Sequence, residues 1–128
     1  MWNRDVAVAY LNSHAMNASH GRCAEYTRKA VEAGGVKLVR HTSAKDYGSS
    51  LRTVGFVSLG QFTGPYDAGD VGIVSPIPGH PDGHMAMYNG DGWISDFKQL
   101  HGLYPGATYR KLKPDYAIYR YGSSNPIT

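Results

Sequence analysis

The chain changes once, near residues 60 to 70, from an Ala-rich front with helical spacing of apolar residues to a back half where Gly, Tyr and Pro set the pattern. That single change of texture predicts an α+β chain, with helices in front and an antiparallel sheet behind. In the Ala-rich front, Val6, Ala9, Tyr10 and Ser13 recur at helical intervals from Asp5 to about His14, with Asn3 or Asp5 as a cap. A second helix is predicted from about Arg22 to Ala33, where Cys23, Thr27, Ala30, Val31 and Gly34 are spaced three and four apart and Gly34-Gly35 stops the run. A third is predicted over Ala44 to Val54, capped by Ser43, with Tyr47, Leu51 and Val54 on one face; Gly48 weakens it.

In the back half, Gly69-Asp70 leads into a strand over Val71 to Ser75, and 76–83 is a loop by composition. His84 to Tyr88 and Trp93 to Phe97 flank Asn89-Gly90-Asp91-Gly92, a hairpin signal. Further strands are predicted around Thr108 to Leu112 and over Tyr116 to Tyr121.

Composition narrows the function classes. The 128 residues, 41% hydrophobic and 18% charged, make a globular mixture, read as one domain over 1–128. A chain of that length buries roughly two thirds of its unfolded surface, so it folds without staples. One Cys allows no internal disulfide. Apolar stretches are far too short for a membrane span. Met1-Trp2-Asn3-Arg4-Asp5 lacks the basic flank and apolar block of a signal peptide, which predicts a chain made in the cytoplasm that leaves it only by injection or lysis. The net charge of +3 suits an anionic polymer, but no basic run exceeds Arg28-Lys29, which argues against nucleic acid. The expected oligomeric state is a monomer.

The lone Cys carries the chemistry. Cys23 follows Ser19-His20-Gly21-Arg22 at a helix start, where unsatisfied N–H groups, the helix dipole and the neighbouring Arg22 all favour a thiolate. Gly21 leaves the approach to the sulfur free of a side chain. Amide hydrolysis also needs a positioned acid, usually His, oriented by a third polar group. His84 opens the first hairpin strand and Asp96 ends the second. For both to lie on one face of a hairpin, the connecting loop must be odd in length or bulged, and that is the expectation for Asn89 to Gly92.

Ser19 to Ala30, Gly69 to Val74, Gly83 to Tyr88 and Trp93 to Phe97 together resemble the NlpC/P60 and CHAP group of papain-like peptidoglycan amidohydrolases, in that group's order and over about residues 5 to 121. The resemblance implies Cys23 as nucleophile, His84 as general base and acid, and Asp96 as the group orienting the imidazole. It places Tyr10 near the position of a Tyr that helps bind the oxyanion in many members. It implies a papain-like fold, no cofactor, hydrolysis of stem-peptide or cross-link amides, kinship with amidase toxins injected between bacteria or carried by phage, and a cognate inhibitor (immunity) protein.

Blander readings stand beside these. Cys23 is also consistent with a small core residue, His84 with a strand-end histidine and Asp96 with a surface turn. His80, Asp82 and His84 form H-x-D-x-H, a zinc-like spacing, yet Pro81 and Gly83 give it no fixed periodicity. His14, His41 and His101 read as surface or capping residues, and His20 as a residue near Cys23. A wall-binding module without catalysis, or an acyltransferase or deamidase on the same scaffold, would keep many of these residues.

Overall fold

The computed structural model describes residues 2–19 and 21–122. Helix α1, Arg4–His14, starts where Asn3 accepts the backbone N–H groups of Asp5 and Val6, and it buries Ala7 and Leu11. Helix α2, Cys23–Ala33, packs on α1 and buries Thr27, Arg28, Ala30 and Val31. The third helical stretch begins as a single 3-10 turn, Ala44–Asp46, and continues as α3, Tyr47–Thr53. These helices bury Leu11, Val31, Tyr47 and Leu51 against Val71, Met85 and Met87 of the sheet.

The sheet contains β1 (Phe56–Ser58), β2 (Val71–Val74), β3 (His84–Tyr88), β4 (Trp93–Ile94) and β5 (Tyr116–Tyr121) in the order β1-β5-β2-β3-β4, all antiparallel. All four β2 residues are buried, because both faces are covered. On the far side Val74, Ala86, Trp93 and Ile118 pack under Leu103, Tyr104 and Tyr109. Between neighbouring strands Arg120 reaches Asp70 in a two-pronged ion pair at 2.9 and 2.8 Å, and Asp70 is buried.

Three expectations need correction. Ala107–Leu112 is a helix, α4, rather than a strand: it lies outside the sheet and buries only Tyr109, so no alternating face is selected. Strand β1 has no counterpart in the sequence reading, because three residues after Gly55 carry too short a pattern. The hairpin loop is even, since Met87 pairs with Ile94 and Tyr88 with Trp93 around four intervening residues. By that register alone His84 and Asp96 would face opposite sides. The chain escapes the constraint by leaving the ladder after Ile94: Ser95 donates to the Phe97 carbonyl, and the tight turn swings Asp96 inward until it is fully buried.

Candidate active site

Cys23 is the first residue of α2, so its backbone N–H has no acceptor one turn earlier in the helix. Gly21, at φ +76, supplies the left-handed bend before the helix that a side-chain residue rarely adopts. His84 opens β3 opposite Val74. Gly83 precedes it at φ +73, and any Cβ there would collide with the Val74 carbonyl oxygen. A hydrogen bond from the Thr27 hydroxyl to the Met85 carbonyl, 3.3 Å, fixes the Cys-bearing helix against the His-bearing strand. Cys23 and His84 thus line one cleft of about 390 Å³, with Tyr109, Phe97 and the loop 79–83 forming its walls. Cys23 also opens onto a second cavity of about 260 Å³ on its other side.

The imidazole of His84 is held by Gln99, a residue that sequence reasoning passed over. His84 Nε2 lies 2.6 Å from Gln99 Oε1. The amide is oriented by its other end, since Gln99 Nε2 donates to the carbonyls of Gly102 and Leu103, both at 2.9 Å. Its oxygen therefore faces the ring, and an oxygen acceptor requires His84 to carry its proton on Nε2. Nδ1 is left as the basic nitrogen. The hydrogen bond expected of Asp96 is thus made by Gln99, three residues later.

Asp96 is occupied differently. Its Oδ2 accepts the Arg22 backbone N–H at 3.0 Å, placing a carboxylate at the N-terminus of the helix that carries Cys23. Its Oδ1 accepts the Ser95 hydroxyl, and its carbonyl accepts the Met16 N–H at 2.9 Å. Asp96 therefore clamps both ends of the segment leading to Cys23. Its charge also raises the pKa of His84 without a hydrogen bond between them.

Burial decides the protonation of the pair. It pushes the Cys23 thiol up to about 11, and the Asp96 charge acts in the same direction; backbone hydrogen bonds from Met85, Ala24 and Cys23 itself pull the other way. Helix-terminal amides thus act as expected and are outweighed. Arg22 does not assist: it is half exposed and forks onto Glu25 at 2.8 and 2.9 Å, where Lys29 also binds. Burial also lowers the pKa of His84, opposed by Gln99 and Asp96. Burial thus favours the thiol form of Cys23 and the neutral form of His84.

Tyr109, the residue that α4 buries, closes one wall of the cleft. Its ring is buried 6.2 Å from that of His84 and 5.3 Å from that of His80, and its hydroxyl makes no hydrogen bond among the described residues. Burial raises its pKa, so it remains a donor. Tyr10 lies elsewhere: it stacks on His14 at 3.9 Å and lines neither cavity. His20 falls outside the described residues. His80, Asp82 and His84 line the same cleft, yet among the described residues no group of three His, Cys, Asp or Glu side chains is arranged to hold a metal ion. No helix is long and apolar enough to cross a membrane among those residues.

The architecture is that of a type VI effector. A chain of the native effector–immunity complex Tae3–Tai3 from Ralstonia pickettii matches 94% of this chain and 99% of its own length at 52% identity and a TM-score of 0.87. The selenomethionine form of that complex matches 90% of this chain and 99% of its own at 54% identity and a TM-score of 0.84. No family model and no curated protein sequence matches, so the NlpC/P60 and CHAP likeness rests on the motifs alone. With more than half of the residues identical over nearly the full length of both chains, this chain belongs to the Tae3 family of type VI effectors.

Proposed function

We propose that this chain is a cysteine amidase of the papain-like kind that hydrolyses amide bonds in peptidoglycan stem peptides or cross-links, acting as an antibacterial toxin. The observation that carries the reading is the shared cleft of Cys23 and His84, with the imidazole oriented by Gln99 so that Nδ1 is basic. Membership in a family that includes a type VI effector solved in complex with its immunity protein supports delivery into a target cell's periplasm and a cognate immunity protein as partner.

In the proposed mechanism the Cys23 sulfur attacks the amide carbonyl while its proton passes to His84 Nδ1. The Cys23 N–H and the Tyr109 hydroxyl donate to the oxyanion. Collapse breaks the C–N bond, and His84 returns its proton to the leaving amine. Water then attacks the thioester with His84 again taking the proton, releasing a carboxylic acid and restoring the thiol. The half-buried thiol stays neutral until substrate arrives, so proton transfer accompanies attack.

Digestion of purified sacculi followed by mass spectrometry of the released muropeptides tests this reading. Products that gain one water across a stem-peptide amide, absent with Cys23→Ala, are expected. Undiminished digestion by Cys23→Ala would overturn the cysteine mechanism, and binding to sacculi with no bond broken would overturn the enzyme.

A further inference from the structure

The second cavity is set off by its charges. Arg22 and Glu25 on its wall satisfy each other, and Arg28 is buried against Glu32 at 2.9 Å. His41 Nε2 is hydrogen-bonded to the Ser50 hydroxyl at 2.7 Å. Two opposite charges are left over. Arg40 is exposed and has neither a hydrogen bond nor an ion pair among the described residues. Asp82 accepts the Ser43 hydroxyl at 2.6 Å on Oδ1 and has no cationic partner among the described residues. The two line the same cavity and are not paired with each other.

Their positions differ. Asp82, like Gly21 and Cys23, borders both cavities, whereas Arg40 borders only the second. A cavity lined by an unpaired guanidinium and a carboxylate without a cationic partner, with room for about one residue, is complementary to a group bearing both charges. The first cleft differs, with aromatic and proline walls from Phe97, Tyr109, Pro81 and Pro105.

We propose that the second cavity is a substrate subsite for an amino-acid residue carrying a free carboxylate and a free ammonium group, the carboxylate held by Arg40 and the ammonium by Asp82. This rests on the amidase reading, and it makes the enzyme a reader of charge on one side of the cut bond. Peptides with that residue amidated or acylated are poor substrates.

The test uses muropeptides released from sacculi in three forms: native, carbodiimide-amidated at carboxylates, and N-acetylated. Arg40→Gln is expected to raise KM about tenfold on native material with kcat little changed, and to add no penalty on amidated material. Asp82→Asn, which keeps an acceptor for Ser43, should do the same with the acetylated form as its silent partner. Calorimetry of the same muropeptides with Cys23→Ala, with and without Arg40→Gln, reads the differences as Kd even where a modified substrate is not cleaved. An Arg40→Gln penalty equal on native and amidated material, or no penalty on native material, overturns the subsite. If Cys23→Ala still hydrolyses, the amidase mechanism fails; if it is inactive while Arg40→Gln is silent, only the subsite does.

Discussion

His84 and Gln99 meet at 2.6 Å in a buried pocket, and the two carbonyls that bind the far end of the Gln99 amide dictate which nitrogen of the imidazole keeps its proton. Removing that partner frees the ring to rotate and to change tautomer. Gln99→Ala is expected to lower kcat by about 10- to 100-fold with little change in KM. Gln99→Glu puts a carboxylate at the same place, which favours the imidazolium and moves the acidic limb of the pH–rate profile upward. Full activity in Gln99→Ala would remove Gln99 from the site.

Asp96 makes a separable prediction, because it touches the helix rather than the ring. Asp96→Ala leaves the Arg22 N–H without its acceptor and is expected to lower stability by about 2–3 kcal/mol, measured by urea unfolding. Asp96→Asn keeps an acceptor and loses the charge. Since that charge raises both Cys23 and His84, both fall in Asp96→Asn: thiol alkylation at pH 8 quickens and the acidic limb moves down. An acidic limb that stays in place would show that the Asp96 charge is not felt at His84.

The pH dependence follows from burial. The rate of Cys23 alkylation should climb past pH 9 and level only near 11. A thiol whose folded pKa is about 11, above its ordinary 9.0, contributes stability present in full below pH 9 and lost between 9 and 11, where only the unfolded chain ionises. His84 is shifted the other way. Its contribution is present above pH 6.5 and lost as the pH falls below that, because the unfolded imidazole protonates first. Unfolding curves of Cys23→Ala and His84→Ala should flatten the alkaline and acid slopes respectively; unchanged slopes would contradict the assignments.

Tyr109→Phe deletes one hydroxyl and keeps the ring that packs on His80 and His84. A donor to the oxyanion acts on the transition state more than on bound substrate, so kcat should fall about 10- to 100-fold with KM nearly constant. Affinity for a peptide aldehyde, which forms a tetrahedral adduct with the thiol, should fall in parallel. Equal aldehyde affinity in the variant would assign Tyr109 to packing alone.

Much of the fold was written locally. Asn3, Gly34 and the apolar spacing between them define α1 and α2 to within a residue, and Gly-Asp and Gly-His mark the starts of β2 and β3. What escaped depends on distant pairing. Strand β1 exists because β5 returns beside it, and α4 is helical because nothing offers Ala107–Leu112 a strand edge. At the site, local motifs bring Cys23 and His84 to one cleft. Gln99 had no such signal: a tight turn at Ser95–Phe97 carries it to His84, and by itself it reads as an ordinary polar loop residue. The sulfur's environment was misjudged for a related reason, since position at a helix start is visible in sequence and the depth of burial is not.

The strands that border the sheet are its shortest, three residues in β1 and two in β4. An open edge normally invites another chain to add a strand and extend the hydrogen-bonded ladder. Here two or three residues of backbone are all that either margin offers. A protein that silences the cleft is therefore expected to grip loops and side chains, with its recognition written in the surface chemistry of those loops rather than in the sheet.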